Sequence, residues 1–425
     1  MSSPGPAGGG GGPRRGAISR RRLLAGSGAT VAGLAAATLA AAPANASEAG
    51  DTSAAVPFYG PHQAGIATPS QEHLVFAAYD LTTGSLSGLR SLLAAWTTAA
   101  ARLSAGEPLG GDERPTAAPP DTGEALGLGP ANLTVTVGYG PGLFGDRLGL
   151  ARLRPAALAD LPPFALDAID PSRSGGDLCL QACADDLQVA FHAVHNLSRL
   201  ALGTATLRYY QLGFGMKAPG TSAGGPQTPR NLLGFHDGTA NRAVLTPGGL
   251  DDVVWVRGGD QRWMEGGTYL VARRIRIYLE SWARTPLGDQ EAAVGRDKVS
   301  GAPLGGRGQF DRMDLAATGA GGLPVIPATA HVRLATAASC GGAQILRRSF
   351  NFADGLDPMT GELDAGLYFI CFQRDPGRGF IPIQRNLSAN DALTGGYFEH
   401  TSSAVFACPP GVRAGGHWGE ALGLD

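Results

Sequence analysis

Histidine is the residue type in this sequence best suited to hold a metal-bearing cofactor, because one imidazole can serve as an axial ligand. The 425-residue chain contains eight histidines: His62, His73, His192, His195, His236, His331, His400 and His417. His331 begins the segment HVRLA at residues 331–335, after a stretch rich in glycine and proline at 319–327. Taken alone, such a histidine is more often a hydrogen-bonded core residue than a ligand. The residue type by itself therefore leaves the role of His331 open.

His192 and His195 are three residues apart in a segment, 187–201, whose apolar residues recur at helical spacing. This spacing places both rings on one side of a helix, where they could bind a metal ion together. The neighbouring sequence offers no segment rich in carboxylates that would complete such a site. We therefore expect both histidines to lie on a solvated helix face.

The segment GFHDGTAN at residues 234–241 places an acid, Asp237, between Gly234 and Gly238. Glycines on both sides allow the backbone to approach a flat or anionic ligand closely. The same pattern is also that of an ordinary turn, so the segment alone does not decide between a ligand site and a loop.

The five cysteines are Cys179, Cys183, Cys340, Cys371 and Cys408. Their odd number and wide spread do not fit a disulfide scaffold. Cys179 and Cys183 are four residues apart in what the sequence predicts to be a strand-to-helix segment, so a metal or redox pair is conceivable. We expect buried structural thiols instead, because no second cysteine or histidine pair lies nearby at zinc spacing.

The elements that must position these residues follow from apolar periodicity. In the first half, strands are predicted at 72–80, 131–138 and 208–214, and helices at 86–103 and 187–201. With the strand predicted around Cys179 and Cys183, the order is strand, helix, strand, strand, helix, strand. A second set comprises strands at 266–277, 367–373 and 403–408 and a helix that starts at 278–285. This mixture without regular βαβ units predicts an α+β protein of two ferredoxin-like halves, each packing an antiparallel sheet under helices.

The N-terminus carries a targeting pattern. The residues SRRRLL at 19–24 are followed by an Ala/Gly-rich apolar run to residue 42 and by the small-residue site ANA at 44–46. This pattern predicts a twin-arginine export signal cleaved after Ala46 rather than a transmembrane anchor. We therefore expect three segments: a signal peptide at 1–46, an N-terminal half at 47–230 and a C-terminal half at 231–425. The mature protein is expected in the periplasm, at the cell surface or outside the cell.

The charge balance argues against one class of partner. The formal net charge is −2, from 34 basic and 36 acidic residues. No block of lysine and arginine occurs after the first 22 residues. Nothing in the sequence therefore indicates a surface for nucleic acid or another polyanion.

Three motifs in order carry a resemblance to a known family. They are G-x-x-D-G at 234–238, H-x-R-x-A at 331–335 and L-R-R at 346–348. With these motifs the chain resembles the dye-decolorizing peroxidases, most of all their iron-uptake branch of deferrochelatase/peroxidase proteins. The resemblance covers nearly the whole mature chain, through residues 59–66, 177–186, 234–241, 295–304, 331–335, 345–350, 354–366, 380–385, 401–411 and 416–420.

The resemblance implies one haem b per chain, bound in the C-terminal half. His331 is similar to the axial iron ligand of the family, Asp237 to its acid on the peroxide side, and Arg347 to its arginine there. Further haem contacts are expected from Gly238, Thr239, Ala240 and Arg347. A ligating histidine usually donates from its other ring nitrogen to an acceptor, and for His331 we expect this acceptor to be Asp391.

The function that the resemblance implies is an exported haem b peroxidase. It would reduce hydrogen peroxide and oxidise dyes, phenols or other bulky one-electron donors. A second reading, release of iron from haem by a deferrochelatase in an iron-uptake system with a permease as partner, stays open. A third is a ferredoxin-like binding domain without catalysis, in which Asp237 and Arg347 are structural partners. The expected partners are hydrogen peroxide and an organic electron donor, and a homo-oligomer is compatible with the sequence.

Overall fold

The computed structural model describes residues 55–111, 114–222 and 225–424. The predicted export signal at 1–46 lies outside the described residues, and so do the first residues of the predicted N-terminal half. In the ranges described, no helix is both long and apolar enough to cross a membrane.

The described chain contains both strands and helices, without a regular alternation. The strands are β1 (His73–Leu81), β2 (Thr134–Tyr139), β3 (Leu178–Ala184), β4 (Ala205–Phe214), β5 (Thr221–Ser222), β6 (Gly225–Pro226), β7 (Thr268–Ile277), β8 (Leu346–Arg347), β9 (Phe350–Leu356), β10 (Leu363–Gln373), β11 (Phe398–His400) and β12 (Ala404–Cys408). The α-helices are α1 (Leu86–Ser104), α2 (Leu187–Leu200), α3 (Asn241–Val244), α4 (Pro247–Val253), α5 (Leu279–Arg284), α6 (Leu287–Val294), α7 (His331–Leu334), α8 (Phe380–Asn390) and α9 (Ala392–Gly396).

The N-terminal half has the predicted ferredoxin-like order of strands and helices. Its antiparallel sheet runs β2-β3-β1-β4, and α1 and α2 pack against one face. Ser85 and Asp186 cap the two helices with their side chains. Trp96 of α1 donates from Nε1 to the carbonyl oxygen of Leu197 in α2 (2.7 Å), which fixes one helix against the other.

The C-terminal half repeats this topology with β7, β9, β10 and β12 as its four main strands. Their order, β12-β7-β10-β9, is equivalent to that of the first half. The short strands β11 and β8 lie in line with the two edge strands. β11 pairs with β7 beyond the end of β12, and β8 pairs with β10 beyond the end of β9. The α+β class with two ferredoxin-like halves is therefore confirmed.

The two sheets join edge to edge. Ala407 of β12 pairs with Tyr139 of β2, and Phe214 of β4 pairs with Asn351 of β9. Since β7 also pairs with β10, the strands form a closed ring. Closure leaves few free edges in the main sheet.

Successive side chains of a central strand such as β1 point into two different buried layers, which explains why its sequence is an almost continuous apolar run. On β1, Leu74 and Phe76 belong to the cluster inside the ring, whereas Val75 and Ala77 belong to the cluster under the helices. Both faces of β1 are therefore core, whereas most residues of β4 are exposed.

Three predicted boundaries differ from the structure for local reasons. β2 starts later than residue 131 because Ala131 and Asn132 have positive φ angles of 46° and 56°, which no strand accommodates. β7 starts after Gly266, whose φ is 77°. Cys179 and Cys183 both lie within β3 and not at a strand-to-helix junction, since α2 begins only after the cap Asp186.

Candidate active site

Asp237 lies on a loop whose conformation is fixed by hydrogen bonds and by a glycine with a positive φ angle. Its own amide donates to the carbonyl oxygen of Pro229 (2.8 Å), and Asn231 Nδ2 donates to its Oδ2 (3.1 Å). Gly234 has a φ of 84°, and a Cβ there would lie 2.8 Å from Cε of Lys298. The first glycine of the motif is therefore favoured by its conformation, whereas a Cβ would displace only the flexible end of Lys298.

Asp237 and Arg347 form a two-pronged ion pair. Nη1 of Arg347 lies 2.8 Å from Oδ1 of Asp237, and Nη2 lies 3.2 Å from Oδ2. The Asp237 side chain is 5% exposed and that of Arg347 is 27% exposed. The parallel contacts fix the plane of the carboxylate, while the partial exposure of the guanidinium leaves room for a ligand on the same face.

Arg347 is itself held by Asn241. The side-chain amide of Asn241 donates to the carbonyl oxygen of Arg347 (2.6 Å) and accepts from its backbone N–H (3.0 Å). The Asn241 side chain thus pairs with both backbone polar groups of Arg347, as a neighbouring β-strand would. The guanidinium carbon also lies 5.4 Å from the ring centre of Phe369 on β10.

The residues between Asp237 and Asn241 form the turn into α3. Gly238 has a φ of 76°, and Thr239 Oγ1 accepts from Gln309 Nε2 (3.1 Å). Gly238 and Thr239 are half-buried and Ala240 is exposed. The structure thus brings these three residues beside the ion pair, and their contact with a cofactor stays a prediction.

His331 begins α7, and its ring is oriented by a buried carboxylate. Nδ1 lies 2.8 Å from Oδ2 of Asp391. The Asp391 side chain has 0% exposed surface, and that of His331 has 28%. Asp391 also caps α9 by accepting from the amides of Leu393 (3.1 Å) and Thr394 (3.3 Å).

The protonation of this pair follows from its surroundings. Burial raises the pKa of Asp391, but the charge and hydrogen bond of His331, with the bonds from Thr394 and Leu393, outweigh it and lower the pKa below its usual value. An ionised carboxylate only accepts, so Nδ1 of His331 carries the proton. In the neutral ring the lone pair is then on Nε2, which is the nitrogen left to bind a metal.

The segment after His331 is anchored on both sides. Arg333 Nη1 donates to the carbonyl oxygens of Leu315 (2.9 Å) and Ile326 (3.1 Å). Asn386 Nδ2 of α8 donates to the carbonyl oxygen of Leu334 (2.8 Å). Helix α7 is too short to be stable by itself, so its conformation depends on these contacts.

The donor set fits a haem better than a bare ion. Within residues 55–111, 114–222 and 225–424, no group of three or more histidine, cysteine, aspartate or glutamate side chains could hold a metal ion. An iron bound at His331 would have to bring its other ligands, as it does in a porphyrin. An oriented imidazole with one free nitrogen supplies the protein ligand that a haem iron requires.

The expectation for His192 and His195 is wrong for His192. The side chain of His192 is 6% exposed, and its Nε2 lies 2.7 Å from Oδ1 of Asp121. His195 Nδ1 lies 2.5 Å from Oε1 of Glu124. Both carboxylates come from a loop 71 residues earlier in the chain, so the local sequence could not show them.

The expectation for the cysteines is confirmed. All five are unpaired and buried. Burial raises the pKa of each thiol above its usual value. These thiols are therefore poor nucleophiles in the folded protein.

Sequence reasoning missed the residues that hold the site together. Asn231 and Asn241 fix Asp237 and Arg347, and Arg333 and Asn386 fix the helix of His331. Only their position inside or beside the motifs could have indicated this supporting role, because asparagine and arginine are otherwise common on loops.

Two family models match the chain. The model described as Dyp-type peroxidase, N-terminal, matches residues 63–215, and the one described as Dyp-type peroxidase, C-terminal, matches residues 228–413. Each match coincides with one of the two ferredoxin-like halves.

Individual relatives agree with these matches. The chain is 36% identical over 372 residues to the deferrochelatase of Escherichia coli (strain K12), which covers 86% of each chain. It is similar to an oxyferrous complex of DtpA from Streptomyces lividans, with 42% identity, 88% and 98% coverage and a TM-score of 0.81. It is also similar to a DyP-type peroxidase from Cellulomonas bogoriensis, with 40% identity, 89% and 100% coverage and a TM-score of 0.80.

Proposed function

Because this chain belongs to the Dyp-type peroxidase family, we propose that it is an exported haem b peroxidase that oxidises dyes, phenols or other bulky one-electron donors. Family membership makes the chain a haem peroxidase enzyme, which removes the reading of a non-catalytic binding domain. The observation that carries the finer proposal is the pairing of Asp237 with Arg347 on one hand and of His331 with Asp391 on the other.

The residues of the C-terminal half would hold one haem b per chain. His331 would bind the iron through Nε2, while Arg347, Gly238, Thr239 and Ala240 would contact the macrocycle or the ligand above it. When bound, the haem would supply a redox-active iron that reacts with hydrogen peroxide.

Asp237 is the group that can move a proton. Breaking the O–O bond requires a proton to pass from the inner to the outer peroxide oxygen, and the Asp237 carboxylate can accept it at one oxygen and release it again. Asn231 and Arg347 hold the carboxylate in one plane. Its 5% exposure limits competition from bulk water for that proton.

Arg347 adds a fixed positive charge beside the departing oxygen. Its guanidinium stays protonated and offers donors in a rigid fork. One donor aimed at developing negative charge typically contributes about 3 kcal/mol to catalysis. The ion pair with Asp237 holds the guanidinium in place before the substrate arrives, and the two bonds with Asn241 hold the Arg347 backbone.

The overall reaction balances with external donors. Hydrogen peroxide takes up two electrons and two protons and yields two molecules of water, and two molecules of a one-electron donor supply the electrons. Donors too bulky to enter the site would be oxidised at the protein surface.

The test is peroxide-dependent oxidation by the haem-supplied protein. Haem and protein are quantified together, and oxidation of an anthraquinone dye and of a phenol is followed with and without peroxide. We expect one haem b per chain and oxidation that requires peroxide. Bound haem with no oxidation of either donor would overturn the peroxidase proposal.

Release of iron from haem is the second candidate, and the 36% identity to the E. coli protein named deferrochelatase favours it. In this reaction iron leaves the macrocycle and two protons replace it. Free protoporphyrin among the products would support this function, and with it a role beside an iron-uptake permease. Recovery of intact haem after prolonged incubation would count against it.

Export is proposed from the residues SRRRLL at 19–24. The twin-arginine route would deliver the protein to the periplasm, the cell surface or the medium. Replacing Arg20 and Arg21 by lysine should retain the full-length protein inside the cell. Unchanged export of this variant would contradict the proposed route.

A further inference from the structure

Arg348 follows Arg347 directly in the chain but points to the opposite face of the sheet. In an antiparallel pair, residues that lie opposite each other point to the same side. Arg347 pairs with Cys371, which belongs to the cluster under the helices. The amide of Arg348 donates to the carbonyl oxygen of Ile370 (2.8 Å), which belongs to the cluster inside the ring. The side chain of Arg348 therefore enters the ring, while that of Arg347 reaches Asp237 on the other side.

The guanidinium of Arg348 binds three neutral oxygen atoms, which we call the oxygen socket and which belong to Thr68, Pro69 and Gln71. Nη1 donates to the carbonyl oxygen of Thr68. Nη2 donates to the carbonyl oxygen of Pro69 (3.3 Å) and to Oε1 of Gln71. Arg348 is only 4% exposed. Because arginine stays protonated even when buried, the oxygen socket stabilises a buried cation.

The oxygen socket belongs to the segment before β1, and strands of the N-terminal half hold it in place. Gln71 Nε2 donates to Oγ1 of Thr134 on β2 (3.1 Å). Thr68 Oγ1 accepts from the amide of Gly65 (3.0 Å), and the carbonyl oxygen of Gly65 accepts from Gln181 Nε2 on β3 (2.9 Å). Arg348 therefore ties the end of β8, in the C-terminal half, to a fixed part of the N-terminal half.

Strand β8 needs such an anchor because it is very short. It comprises only Leu346–Arg347 and pairs with β10 at two positions. Asn241 binds the backbone N–H and C=O of Arg347, and Arg348 holds the next residue from inside the ring. The backbone that carries the Arg347 side chain is thus held at two adjoining residues.

We propose that Arg348 is a positioning residue, and that its insertion into the oxygen socket sets the position of the Arg347 guanidinium. Loss of this anchor would leave the oxygen atoms of the socket without their donors and would allow the end of β8 to move. The Arg347 guanidinium would then donate less effectively to a small ligand at the iron. This inference rests on the proposed haem site, in which Arg347 lies on the peroxide side.

The test measures the affinity of ferric haem-loaded protein for fluoride by absorption titration at a fixed pH. Fluoride at the iron accepts hydrogen bonds from nearby charged donors, so its affinity reports whether Arg347 is in place. For Arg348→Met we expect the affinity to fall about tenfold, which is the scale of one hydrogen bond from a charged donor. Arg348→Lys returns a cation with donors to the socket and should recover most of the affinity.

A double variant distinguishes positioning of Arg347 from a general weakening of the fold. If Arg348 acts through Arg347, then Arg348→Met should cause no further loss of fluoride affinity in protein that already carries Arg347→Ala. Additive losses in the double variant would overturn the inference. If Arg348→Met does not fold, Gln71→Leu removes one oxygen atom of the socket in its place, and wild-type fluoride affinity in that variant overturns the inference equally.

Gln63→Leu is the matched control. Gln63 is 5% exposed and anchors the same segment at its other end, by donating to the carbonyl oxygens of Val137 (3.1 Å) and Pro409 (2.9 Å). Its replacement should lower the stability of the protein and leave the fluoride affinity at the wild-type value. An equal loss of affinity in Gln63→Leu and Arg348→Met would contradict a specific role of Arg348.

The outcomes separate this inference from the site on which it rests. Reduced fluoride affinity in Arg347→Ala together with wild-type affinity in Arg348→Met would overturn the inference alone. Wild-type protein that binds no haem, or wild-type fluoride affinity in Arg347→Ala, would overturn the proposed haem site itself.

Discussion

Nδ1 of His331 lies 2.8 Å from Oδ2 of Asp391, a carboxylate whose side chain has no exposed surface. The two residues are 60 positions apart in the chain. The contact fixes the ring, places its proton on Nδ1 and leaves Nε2 free, so the haem proposal depends on it more than on any other single contact.

Asp391→Asn tests this contact. The amide is a poorer acceptor, so we expect haem affinity to fall about 10- to 100-fold, as is typical when the partner of a ligating histidine is changed. Asparagine still caps α9, which makes the substitution selective for the bond to His331. Titration of the apoprotein with haem measures the change, and wild-type affinity would show that the carboxylate does not support the ligand.

Arg347→Ala should lose more peroxidase activity than Asp237→Ala. Loss of the arginine removes the donor to the departing oxygen and leaves Asp237 buried without its cation, and we expect a decrease in kcat on the order of 100-fold. Steady-state rates at saturating peroxide compare the two variants. A greater loss in Asp237→Ala would reverse the ranking and make proton transfer the dominant contribution.

Asn241→Ala should lower the rate without removing any charged group. The variant loses both hydrogen bonds to the backbone of Arg347, which together contribute about 2 kcal/mol. We expect lower kcat with haem binding retained, because the backbone that positions the guanidinium beside Asp237 would be held less firmly. Thr246→Ala, which removes a cap of the neighbouring α4, is a control for general weakening of this region. Equal loss in both variants would contradict a specific role of Asn241.

His400 should make the folded protein sensitive to moderate acid. Its pKa is about 3 in the folded protein and about 6.5 in the unfolded chain, so the unfolded state binds the extra proton. Stability is therefore present above about pH 6.5 and is lost as the pH falls toward 3, by at most about 1.4 kcal/mol per pH unit. Urea unfolding of the haem-loaded protein at pH 7, 6 and 5 measures the slope.

His400→Gln should flatten that slope over the same pH range, since glutamine does not titrate. His195→Gln is the control, because His195 is 47% exposed and its replacement should change the slope less. An unchanged slope in His400→Gln would assign the acid sensitivity to other groups.

The sequence predicted the repeating elements well because each is decided locally. Helices α1 and α2 carry apolar residues at helical spacing, and β1 is a nearly continuous apolar run. The pairing of Asp237 with Arg347 could be expected only from the order of three motifs, because no local pattern links residues 110 positions apart.

What the sequence could not predict depends on single long-range contacts. Closure of the ring rests on the pairs Ala407 with Tyr139 and Phe214 with Asn351. The burial of His192 depends on Asp121 from a distant loop. The burial of Arg273, Arg274 and Arg276 on β7 could not be predicted either, because arginines are usually exposed and their partners lie far away in the chain.

The most direct test of the central claim, that His331 binds the iron of a peroxide-reactive haem, is the absorption spectrum of protein supplied with haem. It is recorded before and after one equivalent of hydrogen peroxide, for the wild type and for His331→Ala. We predict a Soret band in the wild type that peroxide shifts, and loss of that band or of its response in the variant. A variant with the wild-type spectrum and the wild-type response to peroxide would contradict the assignment of His331 as the ligand.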